Sequence, residues 1–173
     1  MVSRRSALLL TVLLAAAVAI AGVGVAMGTP EPVLTLENDD TASYHVTAYT
    51  VDDRDEAGYL NFEVTTRDGD RRLVSYADLV WPDGYRNVTL VDDGVNRQAF
   101  VVGPNETTTE PVEGWTRGDV TVYVIERGDE RTHEWSRTVT CGGRGQEHEL
   151  RFDDDSGGGG STVCAGGVGW LFR

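Results

Sequence analysis

Three histidines and two cysteines are the residues of this chain whose types suit a transition metal. They are His45, His133, His148, Cys141 and Cys164. Cys141 and His148 lie seven positions apart, a loose version of a copper-ligand loop, but such a loop normally continues to a nearby methionine and the chain has only Met1 and Met27. We therefore expect histidines on half-buried strand faces and no metal, with a zinc site from both cysteines, His133 and His148 as the alternative.

Catalytic patterns are weak. Ser136 lies near His133, but without the Gly-x-Ser-x-Gly context of a nucleophile elbow. The acidic runs 52–56 and 153–155 carry oxygen ligands for calcium, yet neither has the spaced aspartates and the glycine at the sixth position that a calcium loop needs. We predict solvated acidic loops, no catalytic residue and no cofactor.

Two segments match the acceptor pattern for N-glycosylation. They are Asn87-Val88-Thr89 and Asn105-Glu106-Thr107. Asn105 follows Pro104 in a loop, whereas Asn87 begins a predicted strand. Asn105 is therefore the better candidate, because a modifying enzyme reaches a loop more easily.

The charge of the chain is strongly biased. It has 28 acidic residues against 15 arginines and no lysine, so the net charge is 15 − 28 = −13. This balance excludes general electrostatic binding of nucleic acid, and it resembles the proteins of extremely halophilic archaea. A dense carboxylate surface stays soluble in concentrated salt and repels itself when salt is removed. We expect folding to require salt near molar concentration.

The N-terminal segment has the pattern of a membrane anchor. Arg4 and Arg5 precede an uncharged run over 7–28, which is 22 residues and roughly 33 Å long as a helix, enough to cross a bilayer core. The arginines favour the cytoplasmic side, so the remainder lies outside the cell. A signal peptide cleaved after Ala26-Met27-Gly28, which would leave a secreted body, is the alternative.

On the exported side the two cysteines are expected to pair, because disulfides persist there. Cys141 ends a predicted strand at Gly142-Gly143, where the chain is about to reverse. The glycine run 157–160 gives the slack that returns Cys164 to the same end. We predict an intramolecular Cys141–Cys164 disulfide, and two free thiols, an intermolecular bridge or a metal site stay open as alternatives.

From residue 33 onward, short alternating segments separated by turn signals predict strands. In 59–65, for example, Leu60, Phe62 and Val64 alternate with polar residues, and the following Asp68-Gly69 is a hairpin signal. About eight such strands, spaced about ten residues apart, predict an antiparallel sandwich with one face of each sheet buried. Pro111 makes the segment 107–112 an edge strand, and no helix is expected in the body.

A family resemblance rests on three segments. Val33-Leu34-Thr35-Leu36-Glu37-Asn38 leading into Tyr44-His45-Val46-Thr47 resembles the start of immunoglobulin-like domains in exported haloarchaeal proteins, and so do the segments 102–107 and 118–123. The resemblance covers residues 33–152. It implies an all-β, immunoglobulin-like or fibronectin-type sandwich on a membrane-anchored surface protein. It supplies no catalytic residues.

These expectations divide the chain into five parts. They are an anchor or signal segment (1–28), a linker (29–32), a β-sandwich (33–152), an acidic and glycine-rich linker (153–161) and an apolar tail (162–173). The tail is too short to span a membrane, and we expect it to dock on the sandwich, with pairing at a sheet edge and contact with a partner as alternatives. The predicted function is a non-enzymatic structural or interaction role at the cell surface of a halophile, with a possible protein partner. A ligand- or metal-binding module at the His/Cys end is the alternative.

Overall fold

The computed structural model describes residues 31–81, 83–141, 145–154 and 158–164. Within these ranges it contains eleven strands, one short α-helix and a 3-10 turn at Tyr76–Leu79. The elements run β1 Val33–Asn38, β2 Tyr44–Val51, α1 Arg54–Tyr59, β3 Asn61–Thr65, β4 Arg71–Ser75, β5 Arg86–Leu90, β6 Asn96–Val102, β7 Glu106–Pro111, β8 Val120–Arg127, β9 Thr132–Thr140, β10 Gln146–Phe152 and β11 Gly159–Cys164.

The strands form two sheets. The small sheet has the order β11-β10-β1-β7, and the large sheet has the order β4-β3-β5-β9-β8-β2-β6. All neighbours are antiparallel except β1 and β10, which run parallel with Val33 opposite Glu147. The predicted all-β sandwich is confirmed. The purely antiparallel arrangement is wrong at this one pair, because β1 and β10 come from opposite ends of the domain rather than from a hairpin.

Both faces of the central strands β2 and β8 are buried. Tyr123 and Ile125 of β8 belong to a first core between the two sheets, which also contains Leu36 of β1 and Leu150 of β10. The alternate residues of β8 belong to a second core on the opposite face. They are Val120, Val122 and Val124. Since successive side chains of a strand point to opposite faces, the prediction of one buried face per sheet is wrong for β2 and β8.

The second core is closed by the segment between β2 and β6. Phe62 of β3 and Val88 of β5 pack there against β8 and Tyr49 of β2. The large sheet therefore bends back over its own second face. The bend lies between β5 and β9, which are joined by the single residue pair Arg86 and Thr132.

Helix α1 occupies part of the predicted polar loop. Asp53 is its N-cap, with a side-chain oxygen that accepts a hydrogen bond from the Glu56 N–H at 2.9 Å. Asp55 and Glu56 place negative charge in the first turn, where the helix dipole favours it. The helix buries Ala57 in the second core, so residues taken for a solvated run form a capped turn of helix instead.

Two predicted boundaries have different outcomes. The segment predicted as an edge strand is β7, at one edge of the small sheet, as expected from Pro111. The linker predicted over 153–161 is wrong from Gly159 onward, because Gly159 begins β11 and pairs with Arg151 of β10. Glycine fits there because Gly160 lies against Leu150 and the Glu149 backbone, where a Cβ would be crowded.

In the ranges given above, no helix has the length and apolar character needed to cross a membrane. The anchor predicted over 7–28 lies outside the described residues, as do the tail residues beyond Cys164.

Candidate functional site

The two cysteines are joined. Cys141, directly after β9, is bonded to Cys164 at the end of β11, with a Cα–Cα distance of 5.8 Å. Cys141 is buried and its partner is exposed. Because β9 belongs to the large sheet and β11 to the small one, the bond is a covalent tie between the two sheets.

A chain of buried hydrogen bonds leads from the first core to this disulfide. The Tyr123 hydroxyl lies 2.6 Å from His148 Nδ1, and His148 Nε2 lies 3.0 Å from Gln146 Oε1. The Gln146 amide donates to the Cys141 carbonyl at 2.9 Å. Since Gln146 Oε1 can only accept, His148 carries its proton on Nε2 and accepts from Tyr123 on Nδ1. Burial lowers the pKa of His148 to about 4, which keeps this ring neutral.

His133 lies on the opposite face of the large sheet. Its Nε2 is 2.9 Å from the Ser136 hydroxyl, and its backbone N–H donates to the Tyr85 carbonyl in the second core. Burial lowers the pKa of His133 to about 4, and its Nδ1 has no hydrogen-bond partner in the described part of the chain. The side chains of Ser136 and His133 are buried, so this pair is closed to a substrate.

The residues of the alternative zinc site are therefore not brought together. Both thiols are used in the disulfide, His148 contacts Tyr123 of the first core, and His133 is paired with Glu126 on the other face of β8. His45 lies elsewhere on β2 and is half-buried. Within the described ranges, no three His, Cys, Asp or Glu residues are grouped so as to hold a metal ion.

Asp40, which the sequence did not single out, is the centre of a polar cluster in the described sandwich. Its buried carboxylate accepts from Arg127 at 2.7 and 2.9 Å and from the Tyr44 hydroxyl at 2.7 Å. The Ala42 N–H also donates to it. The Arg127 guanidinium holds the pKa of Asp40 well below its usual range, and Arg127 extends the cluster to Asp154. The group ties the β1–β2 loop to the end of β8.

A second buried carboxylate follows on the other face of β8. Glu126 accepts from the Val88 N–H at 2.9 Å and is paired with Arg131. Burial raises the pKa of Glu126 in spite of these partners. The sequence signal for both clusters was the dipeptide Glu126-Arg127 at the end of a buried strand, where charges require partners.

The two glycosylation candidates are both exposed. Asn105 lies in the turn between β6 and β7 with φ of 53°, and Asn87 is the second residue of β5 with φ of 52°. Asparagine tolerates this left-handed conformation better than most residues, which is a conformational reason for its presence at both positions. Asn87 is also held by its N–H, which donates to the Arg131 carbonyl.

The acidic runs are used within the fold. Asp53 caps α1, and Glu56 accepts from the Asp52 N–H at 3.2 Å. Asp154 is paired with Arg127 at 3.2 Å, while Asp155 lies outside the described residues. The carboxylates of the two acidic runs therefore bond other groups of the fold.

A family model described as "Halobacterial Ig domain protein" matches residues 1–173. The chain belongs to this family. The halobacterial Ig domain assignment agrees with the two-sheet sandwich and with the resemblance carried by its first strands. No curated protein matches this halobacterial Ig domain chain. It is similar at 11% identity and a TM-score of 0.33 to a solved structure titled "Trapped Toxin", over 77% of this chain and 23% of that one. The chain thus spans about a quarter of the length of that structure.

Proposed function

We propose that the chain is a membrane-anchored surface domain of a halophile, with its sandwich outside the cell and a structural or interaction role without catalysis. The observation that carries the proposal is the Cys141–Cys164 disulfide, because such bonds persist in oxidising compartments and are rare in the cytosol. The uncharged run 7–28, preceded by Arg4 and Arg5, supplies the anchor and the orientation.

The chemistry of the polar residues supports a role without catalysis. The Tyr123–His148–Gln146 chain is bonded end to end, and its groups serve one another rather than a substrate. The Ser136–His133 pair is buried. The family of immunoglobulin-like domains is itself a common framework for structural and binding modules.

Glycosylation is a second part of the proposal. Asn105 is exposed at a tight turn and its Thr107 is exposed as well, which suits access by a modifying enzyme. The Asn87 N–H donates to the Arg131 carbonyl, and Asn87 lies within the paired strand β5. We expect occupancy at Asn105 above that at Asn87, measured by peptide mass shift, with Thr107→Ala abolishing the first and leaving the second.

Protease added to intact cells tests the location. The expected result is loss of the body with an N-terminal fragment left in the membrane fraction, and a cytoplasmic protein in the same cells serves as the intactness control. Protection of the whole chain contradicts export. Recovery of the intact body in the medium, with its N-terminus at residue 29, contradicts the anchor and supports the secreted alternative.

A further inference from the structure

Strand β11 is attached to the sandwich without a buried side chain of its own. Five of its six residues are exposed and Thr162 is half-buried, whereas the neighbouring β10 buries four of its seven residues. Its attachment therefore depends on backbone pairing with β10, on polar side-chain bonds and on the disulfide. Release of β11 takes no buried apolar side chain out of the core.

The register with β10 shows which side of β11 faces inward. Gly160 lies opposite Leu150, whose side chain is buried in the first core. Opposite residues of an antiparallel pair share a face, and side chains alternate along a strand. Gly160, Thr162 and Cys164 therefore face the interior, so β11 presents a glycine, a hydroxyl and a sulfur to the other sheet.

The groove that receives β11 matches these three residues. Arg137 of β9 donates to the Gly160 carbonyl and, at 3.4 Å, to the Thr162 hydroxyl. A Cβ at Gly160 would lie 2.8 Å from Leu150 Cδ2 and 3.0 Å from the Glu149 carbonyl oxygen, so a larger residue would force these groups apart. The groove between β9 and β10 thus selects a strand with glycine at this position.

The disulfide that closes the groove is open to attack at one of its two sulfurs. Cys141 is 4% exposed and belongs to the first core, whereas Cys164 is exposed. An external thiolate therefore bonds to the Cys164 sulfur, the Cys141–Cys164 bond breaks, and its electron pair leaves on Cys141, which takes up a proton. Cys141 keeps its place, because the Gln146 amide donates to its carbonyl at 2.9 Å.

We propose that this exchange lets β11 of one copy enter the groove of a second copy and joins the two chains covalently. The Cys141 thiolate of one copy attacks the mixed disulfide at Cys164 of the other, the new Cys141–Cys164 bond forms, and the external thiol is released. That thiol, supplied by a small molecule or an exported protein, acts as a catalyst, so no oxidant or reductant is consumed.

The occupant is β11 of a second copy because its sequence meets every requirement of the groove. It has the glycine that clears Leu150, the hydroxyl that accepts from Arg137 and the cysteine that reaches Cys141. The six residues between β10 and β11 are enough chain to span about 20 Å. The closed and exchanged forms contain the same bonds, so the local concentration of copies sets the balance between them. The inference rests on the interaction role proposed above and gives it a partner.

The test mixes two single-cysteine variants of the full chain in detergent micelles and high salt. Cys164→Ser supplies the Cys141 thiol, and Cys141→Ser supplies Cys164 as its mixed disulfide with glutathione. The expected product is a dimer linked through Cys141 and Cys164, with one glutathione released for each link. The matched control adds Gly160→Val to the second variant, and it should form the dimer about tenfold more slowly because the larger residue overpacks the groove.

Circular dichroism and hydrogen exchange in β2 and β8 verify that each variant keeps the sandwich. Absence of the dimer overturns the proposal. A dimer that forms equally fast with Gly160→Val also overturns it, because that result shows collision of accessible sulfurs rather than entry of β11 into the groove.

The unmodified chain provides a second measurement that needs no substitution. Equal amounts of isotope-labelled and unlabelled chain are incubated with a trace of glutathione, and the cysteine peptides are identified without reductant. We expect a glutathione adduct at Cys164 and links between labelled and unlabelled chains that increase with protein concentration. Links confined to one chain at every concentration, or an adduct at Cys141, contradict the proposal. Both measurements use purified chain, so the cellular location is tested separately by the protease experiment.

Discussion

Asp40 and Glu126 are both buried carboxylates bound by an arginine, and they lie on opposite faces of the large sheet at the end of β8. Asp40 beside the first core receives four hydrogen bonds from Arg127, Tyr44 and Ala42, and its pKa lies well below its usual range. Glu126 beside the second core has Arg131 and one backbone N–H, and burial raises its pKa. At Asp40 the bonds from Arg127 outweigh burial and lower the pKa, whereas at Glu126 burial outweighs the partners and raises it.

The same contrast holds for the two faces as a whole. Toward the first core, His148 has a partner at each ring nitrogen and the disulfide joins the two sheets. Toward the second core, His133 Nδ1 and the Tyr49 hydroxyl are buried without a hydrogen-bond partner in the described chain, and β5 meets β9 at one residue pair. The Thr121 hydroxyl on the first-core face of β8 is also buried without a partner in the described chain, so the contrast rests on the disulfide and on the single β5–β9 pair. These two features indicate that the segment between β2 and β6 is held less firmly than the two-sheet sandwich.

Acidification is expected to lower the free energy of unfolding more than any other change, because a buried histidine lies on each face of the large sheet. Burial lowers the pKa of His133 and of His148 to about 4, whereas an unfolded histidine titrates near 6.5. The unfolded chain therefore takes up protons first, and the free energy of unfolding falls as the pH drops from 6.5 to 4, by about 3 kcal/mol per histidine. Denaturant titrations at constant high salt over this range measure it.

A profile that stays flat to pH 4.5 would contradict the neutral, buried state of both rings. Below that window the contribution of Asp40 is lost as well, because a carboxyl with a lowered pKa stabilises the fold only while it is ionised. Glu126 has the opposite sign. Its raised pKa means that its contribution is present at low pH and is lost as the pH rises through the folded-state value.

Removal of the disulfide sharpens the contrast between the two faces. The double variant Cys141→Ser and Cys164→Ser removes a crosslink between residues separated by 23 positions in sequence. In the chain-entropy model, loss of a crosslink of this size lowers the free energy of unfolding by about 3 kcal/mol. We expect hydrogen exchange to speed up first in β11 and β10, with β3 and β5 little changed. Equal loss of protection in β3 and β5 would show that the disulfide supports both layers alike.

Conservative changes at the two carboxylates compare them directly. Asp40→Asn removes the charge from a carboxylate that accepts several hydrogen bonds, and it should lower the free energy of unfolding by about 2 kcal/mol at pH 7. Glu126→Gln removes a charge whose burial is unfavourable, so it should lower the free energy of unfolding by less than about 1 kcal/mol. Arg151→Ala, which breaks an exposed pair with Glu37, is the surface control and should have no measurable effect. A larger cost at Glu126 than at Asp40 would reverse the comparison.

The sequence predicted the sandwich, the edge strand β7 and the disulfide from local features. Alternating apolar and polar residues between turn residues predicted the strands. The sequence contains two cysteines, so one intramolecular disulfide could form. The second core was not predictable in the same way. In β8, Val120 to Ile125 are apolar except for Thr121, which indicates burial on both faces but does not identify the segment that covers the second face.

Two further features were not predicted, one for a local reason and one for a long-range reason. Helix α1 was hidden because its six residues are too few to show a helical period, although Asp53 three positions before Glu56 is a capping signal. The Asp40 cluster depends on partners 87 residues apart in sequence, Asp40 and Arg127. No spacing rule connects such a pair before the strand order is known.

We propose that the body folds outside the cell as a sandwich tied by one disulfide. Thiol trapping in cells that produce the chain tests it most directly: acid quenching, denaturation and alkylation without reductant, then mass measurement of the peptides that contain Cys141 and Cys164. The account predicts that neither cysteine is alkylated until reductant is added and that the two peptides remain linked within one chain. Alkylation of both thiols without reductant would contradict it.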